Sequence, residues 1–399
     1  MLLLDTERKN KVLSSMTEIL DKRRSEIIAA NKRDLDAFNP ADRTMYDRLV
    51  VNDKKIDEMV QAIREVRNQE DPVGKIKSEI VLENGLKITN KTAPFGTILI
   101  IYESRPDVTI EAAVLAFKAN SGIILKGGKE AKFSNKILVD CWHQALQKND
   151  LEIDWIRLLE LDRAETQTYL KNPPEKIDLI IPRGGEKLID FVKQHATCAV
   201  LVSGRGNNFL YVDKDADWEQ SKTVILNAKT QKVSACNALD KVLINNNLPG
   251  FERKVAELSN LLNAGHVEVW VDANLHKIVP NEKIIKDENI WSEEFLSMKI
   301  CIGEVDTVKE AIEVINRHSG GHSAAIMTTN LSAAQTFMEQ VDCAAVYHNA
   351  STRFTDGGQM GVGAEMAIST DKLHHRGPLG LEQLVTNKYY VLGNGHVRE

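Results

Sequence analysis

The sequence predicts an α/β fold: a parallel-sheet region, a second α/β region and a small β element. Three observations carry that expectation. From Pro94 onward, short apolar runs alternate with turns and helical patterns, as in Thr97–Ile101, Gly122–Lys126 and Ile177–Pro182. Such alternation is the signature of parallel strands covered by crossover helices. A similar pattern resumes after Gly204. The third observation is a switch to period-two alternation around Asn84-Gly85, a dipeptide favoured in tight hairpin turns.

In chain order, residues 1–70 read as a solvated helical opening, with apolar spacing through Val12–Leu20 and Ile56–Val66. A hairpin is expected at 78–92. A helix is expected to begin near Asp107, behind Pro106. Gly127-Gly128 and Gly184-Gly185 each follow an apolar run and lead into a helical segment. The expected domains are 1–77 with 93–204, then 205–371, with 78–92 and 385–399 as the β element. The strand-like end Lys388–Leu392 has two candidate partners, the 78–92 hairpin or another subunit.

Composition narrows the function classes. The chain has 399 residues, 43% hydrophobic and 27% charged, which suits a globular protein of two or three domains. Its formal net charge of -6 offers no basic footprint for nucleic acid. Asp5, Glu7, Arg8 and Lys9 interrupt the apolar start, so neither a signal peptide nor a membrane partner is expected. Five scattered cysteines lack disulfide or zinc spacing, and a cytoplasmic setting is the simplest expectation.

Cys141, Cys198, Cys301 and Cys343 lie in apolar helix or strand patterns and read as small buried hydrophobes. Cys236 differs. It lies between Val233-Ser-Ala and Asn237-Ala-Leu-Asp, ahead of the apolar run Ala238–Ile244, which suggests a position near a helix start. Unpaired N–H groups there would stabilise a thiolate. The local window alone divides evenly between a nucleophile and a packed cysteine. Arg183-Gly184-Gly185 can present N–H groups to a diphosphate or be an ordinary turn. Lys126 and Lys129, at the expected ligand edge of a parallel sheet, suit a nucleotide phosphate or plain solvation. His318 and His322 have i,i+4 spacing, but Gly320-Gly321 between them opposes a helical metal site, and no metal is expected.

Taken together, the segments Tyr102–Thr109, Ile124–Ala131, Ile181–Glu186, Ser234–Leu239, Gly321–Ile326, Val346–Gly358, Arg376–Leu381 and His396–Glu399 resemble the γ-glutamyl phosphate reductase family of the aldehyde dehydrogenase superfamily. The resemblance covers nearly the whole chain in order. It implies an aldehyde dehydrogenase-like fold with a parallel-sheet nucleotide-binding domain, an α/β catalytic domain and a small β oligomerisation element, and therefore a homo-oligomer. It also implies NADPH-dependent reduction of L-glutamyl 5-phosphate to L-glutamate 5-semialdehyde on the route to proline, with a glutamate kinase as a candidate partner. Cys236 would then be the nucleophile that forms a thioester.

Two departures from the wider superfamily sharpen this expectation. Hydrolytic members carry a water-activating Glu where this chain has Leu201-Val-Ser-Gly-Arg-Gly206. Many NAD-linked members carry a Glu where this chain has Lys129, a residue suited to a 2′-phosphate. The resemblance further assigns Lys126, Lys129, Arg183, Gly184 and Gly185 to the cofactor, and Glu294 to its nicotinamide-side ribose, with Glu293 as the adjacent register. Charge complementarity assigns Arg353 to a substrate carboxylate and Asp356 to an ammonium, and the resemblance places Arg105 and Asp107 at a phosphate or oxyanion. The competing readings are a thioester-forming dehydrogenase of another semialdehyde or acyl-CoA, and a non-catalytic protein on the same fold.

Overall fold

The computed structural model describes residues 3–39 and 43–398, so Met1, Leu2 and Glu399, the outer ends of two expected segments, lie outside the described residues. The chain forms two compact units. One comprises Met1–Val202, Gly361–Ala367 and Leu379–Glu399; the other comprises Ser203–Met360 and Ile368–Pro378.

The first unit opens with helices α1 (Thr6–Lys22), α2 (Arg24–Asp36), α3 (Arg43–Leu49) and α4 (Asp53–Asn68). These are more than a solvated opening. Their apolar stripes, including Val12, Met16, Ile56 and Ile63, are buried in the same core as Ile98, Val114 and Leu138. Burying a side chain of this kind contributes roughly 1.5–3 kcal/mol.

Strands β1 (Ile76–Val81) and β2 (Lys87–Pro94) form the expected hairpin. Gly85, at φ 88, closes a three-residue loop in which Leu82 N donates to Leu86 O and Gly85 N donates to Leu82 O. Only glycine takes that backbone conformation without strain. The C-terminal strand Val385–Leu392 resolves the pairing question: it runs antiparallel to β2, from Val385 opposite Pro94 to Leu392 opposite Lys87.

A second sheet carries β3 (Thr97–Tyr102), then, after α5 (Pro106–Lys118), β4 (Gly122–Lys126). Helix α6 (Lys132–Lys148), β5 (Ile156–Leu158), α7 (Arg163–Lys171), β6 (Leu179–Arg183), α8 (Glu186–His195) and β7 (Ala199–Val200) complete it. All its strands are parallel, in the order β5-β4-β3-β6-β7. The chain therefore leaves β3 toward one edge and returns on its other side at β6. Such a switch point opens a crevice beyond the strand C-termini, here beside Tyr102 and Arg183.

The second unit holds β8 (Asn208–Val212), α9 (Trp218–Thr230), β9 (Leu239–Asn245), α10 (Phe251–Ala264), β10 (Glu268–Val271), α11 (Leu275–Ile278) and β11 (Lys283–Ile284). It continues with β12 (Lys299–Val305), α12 (Val308–His318), β13 (Ser323–Met327), α13 (Leu331–Gln340) and β14 (Ala345–His348). Its sheet is parallel throughout, in the order β11-β10-β12-β9-β8-β13-β14. The run after Cys236 is thus strand β9, not a helix, and every residue of it is buried. A central strand of a parallel sheet is covered on both faces, so it loses the alternation that would distinguish it from a buried helix. Among the described residues, no helix is long and apolar enough to cross a membrane.

Candidate active site

Cys236 lies in the turn between α9 and β9, at the N-terminal edge of the second unit's sheet. It is half-buried. Burial pushes the thiols of Cys141 and Cys343 up to about 11 and that of Cys301 up to about 12, which makes them poor thiolates. Cys198 departs from its expected place, being half-buried in the bend before β7.

The Cys236 turn is held by asparagines. Asn208 Nδ2 donates to the carbonyl oxygens of Gly206, Cys236 and Ala238, at 2.9, 2.8 and 2.6 Å. Asn237 Nδ2 donates to Arg353 O at 3.2 Å and Thr355 O at 2.8 Å, while Thr352 Oγ1 donates to Asn237 O at 2.8 Å. Gly206 passes so close that a Cβ there would lie 1.8 Å from Cys236 O. Gly206 permits a backbone contact with the peptide of Cys236.

Arg353 Nε donates to Gln231 Oε1 at 2.7 Å, whereas its Nη1 is buried with no hydrogen-bond partner among the described residues. Burial makes this guanidinium harder to keep charged, and the Cys236 sulfur and Asp356 carboxylate oppose that effect. Asp356 Oδ1 caps its own turn, accepting from Gly358 N at 3.0 Å. Glu294 Oε1 accepts from Gly206 N at 3.0 Å, so a carboxylate reaches the segment that contains none in its own sequence. The two histidines separate in role: His318 Nδ1 pairs with Ser292 Oγ at 2.9 Å, and buried His322 shares a hydrogen bond with Ser323 at 2.7 Å.

In the first unit, the candidate residues gather at the C-terminal edge of the sheet. Lys126 ends β4 half-buried, and burial lowers the proton affinity of its ammonium. Lys129 is exposed. Gly127 and Gly128 give way to neighbouring side chains: a Cβ on either would strike Asn135 Nδ2 at 2.1 Å or Glu130 Oε1 at 2.0 Å. Glu130 Oε1 in turn accepts from Ser104 N at 2.8 Å and Oγ at 2.7 Å, holding Ser104 at φ 36.

Arg183 ends β6 and its Nη1 donates to Met366 O. Gly185 caps α8 with open space around it, and its N–H meets Glu103 Oε2 at 3.3 Å. A carboxylate thus sits where an anionic phosphate could be received. Asp107 is 3% exposed and pairs with Lys55 at 2.9 Å and Arg105 at 3.0 Å. Burial alone would raise its carboxyl; the two cations outweigh that and hold it at about 2. Asp107 is therefore an anion that orients Arg105. Half-buried Glu111, one turn later, is pushed up by burial and by the Asp107 charge.

The structure thus brings Cys236, Arg353, Asp356 and Glu294 into one unit, and Lys126, Lys129, Arg183, Gly184, Gly185, Arg105 and Asp107 into the other. Asn208, Asn237, Lys55 and Glu130 escaped the sequence reading. The adjacent amides Asn207-Asn208 at the start of a strand were the available signal for Asn208, whereas Asn237, between Cys236 and Ala238, carried none.

Comparison with known proteins gives this arrangement a family. The aldehyde dehydrogenase family model matches residues 282–369. A γ-glutamyl phosphate reductase of Thermotoga maritima is 42% identical over 396 residues, spanning 99% of this chain and 95% of the relative. One from Leptospira interrogans is 38% identical over 99% of this chain and 94% of its own length. The crystal structure of the Thermotoga maritima γ-glutamyl phosphate reductase superimposes with a TM-score of 0.94, covering 99% of this chain and 95% of that one. An acetylating aldehyde dehydrogenase from Geobacillus thermoglucosidasius, 16% identical, shares the fold with a TM-score of 0.69, over 99% of this chain and 94% of its own. The chain belongs to the γ-glutamyl phosphate reductase family, and is an oxidoreductase of the aldehyde dehydrogenase superfamily.

Proposed function

We propose that this chain reduces L-glutamyl 5-phosphate to L-glutamate 5-semialdehyde with NADPH, releasing phosphate, as a step toward proline. One observation carries the proposal: the half-buried Cys236 lies in the field of Arg353, a guanidinium with a buried nitrogen that has no hydrogen-bond partner among the described residues. A nucleophile near a guanidinium with hydrogen-bonding capacity to spare suits an anionic acyl substrate.

The Cys236 thiolate attacks the acyl carbon; a C–S bond forms, the C–O bond to phosphorus breaks, and phosphate leaves with the bonding pair. Bound at the first unit's sheet edge, NADPH would supply the hydride that the resulting Cys236 thioester needs. The thiohemiacetal oxyanion on Cys236 then collapses, releasing the aldehyde and restoring the thiolate. Asn208 and Asn237 hold the Cys236 turn in place, so little reorganisation is needed as charge develops. Arg353 receives the substrate carboxylate and Asp356 its ammonium. Arg105, oriented by Asp107, is a cation suited to a phosphate oxygen.

The residues present fit a phosphorylated nicotinamide dinucleotide. Lys126 and Lys129 offer cations to phosphates, the N-terminus of α8 offers N–H groups where Glu103 gives up Gly185 N, and Arg183 and Gly184 shape that edge. Glu294 takes the nicotinamide-side ribose. The exposed sheet of β1, β2 and the C-terminal strand, with Ile80, Tyr389 and Leu392 outward, serves oligomerisation.

The test is semialdehyde oxidation by NADP+ with and without inorganic phosphate. A strict phosphate requirement is expected, and equal rates without phosphate would remove this mechanism. Cys236→Ser should lose at least about a thousandfold in kcat while binding NADP+ normally; substantial residual turnover would reject the thioester.

A further inference from the structure

Glu294 is held on both sides by two consecutive residues of β9. Asp240 Oδ2 accepts from Phe295 N at 3.0 Å, and Lys241 Nζ donates to Glu293 O at 2.7 Å. The peptides before and after Glu294 are thereby tied to the strand that follows Cys236. Both holding side chains are buried, Asp240 at 2% exposure and Lys241 at 0%.

Burying such charges is costly unless each is compensated. Asp240 Oδ1 takes Lys229 Nζ at 2.9 Å, itself fully buried. Lys241 has its ammonium 3.5 Å from the centroid of the Phe295 ring. An apolar strand would close this core at lower cost, so two buried lysines and an aspartate imply a job for the geometry they impose. That geometry ends in Glu294 Oε1 on Gly206 N at 3.0 Å, against the backbone of the nucleophile's turn.

We infer that Asp240 and Lys241 are positioning residues for Glu294: they clamp its flanking peptides so that its carboxylate is preset for the nicotinamide-side ribose. The inference rests on the ribose role proposed above for Glu294. It adds the device that fixes that carboxylate in register with Cys236, four and five residues upstream of the clamp. Burial lowers the proton affinity of Lys241, to about 8, and the nearby Asp240 charge offsets only part of that cost.

The test is equilibrium binding of NADP+ by calorimetry to the full-length protein and to Glu294→Gln, Lys241→Met and the double variant. Glu294→Gln is expected to weaken binding about tenfold and Lys241→Met roughly three- to tenfold, with the double variant no weaker than the worse single one, because residues acting through one contact are not additive. Losses that multiply in the double variant would overturn the clamp. Wild-type affinity in Glu294→Gln alone would instead overturn the ribose reading beneath it, so the two failures are distinguishable.

Should Lys241→Met not fold, Asp240 supplies a second route. Asp240→Asn keeps an oxygen for Phe295 N–H and should bind NADP+ within about twofold of wild type, whereas Asp240→Ala should lose as much as Lys241→Met was expected to lose. Equal weakening by Asn and Ala would also overturn the inference.

Discussion

The α-carbon of Gly206 faces the carbonyl of Cys236 so closely that an added Cβ would lie 1.8 Å from the oxygen and 2.5 Å from the carbon. The obstructing atoms are backbone, which cannot rotate away as a flexible side chain would. Gly206→Ala must therefore displace the Cys236 peptide or the segment entering β8. A shift near 1 Å at a reacting group can cost about a hundredfold in rate. We expect kcat to fall by roughly that factor, with NADP+ affinity reduced as well because Gly206 N–H holds Glu294. Steady-state kinetics and alkylation rates of Cys236 check this; an alanine variant with wild-type kcat would show that the approach is dispensable.

The Gly206 contact also explains what the sequence could and could not convey. Strand, turn and helix order along 97–195 was legible because each crossover carries its own periodicity and punctuation. Gly204 and Gly206 were visible as glycines, but their reason lies in tertiary neighbours, Thr370 and Cys236, that no local window contains. The Cys236 environment was misread for a related cause. Buried on both faces, β9 has no polar alternation, and its apolar run reads as a helix start. Asp107 was legible as a charge at a helix start, while its capture by Lys55, 52 positions earlier, depends on α4 packing beside α5.

Arg353 provides a second expectation. Its Nε is committed to Gln231, and its buried Nη1 has no hydrogen-bond partner among the described residues. A buried donor left unsatisfied costs about 1–3 kcal/mol, and an acidic ligand group that fills the gap recovers it. Arg353→Met should raise KM for the acyl phosphate by roughly ten- to a hundredfold, and it should leave NADP+ affinity unchanged. If KM stays put, the substrate carboxylate is held elsewhere.

Lys129 tests the cofactor preference. It is exposed on the short 3-10 turn after β4, where Gly127 and Gly128 accommodate Asn135 and Glu130. An exposed ammonium suits a 2′-phosphate, and a carboxylate in its place repels one. Lys129→Glu should move the NADPH/NADH ratio of kcat/KM toward NADH by about tenfold or more. An unchanged ratio would transfer selection to other residues.

His322 gives an expectation in pH. Full burial depresses its imidazole from the ordinary 6.5 to about 4, so the folded protein keeps it neutral. Between those values the unfolded chain binds a proton that the folded chain refuses, and the free energy of unfolding therefore rises with pH across the window. Acidifying from pH 7 to 4 should remove about 3 kcal/mol through this one group. The hydrogen-bonded series His322, Ser323, Thr355 and Tyr347 connects it to the Arg353 loop, so the loss should extend to that loop. Urea midpoints at pH 7 and 4.5 for wild type and His322→Gln measure the effect. The variant should start less stable at pH 7 and lose less on acidification. An identical acid loss in both proteins would assign the titration to other groups.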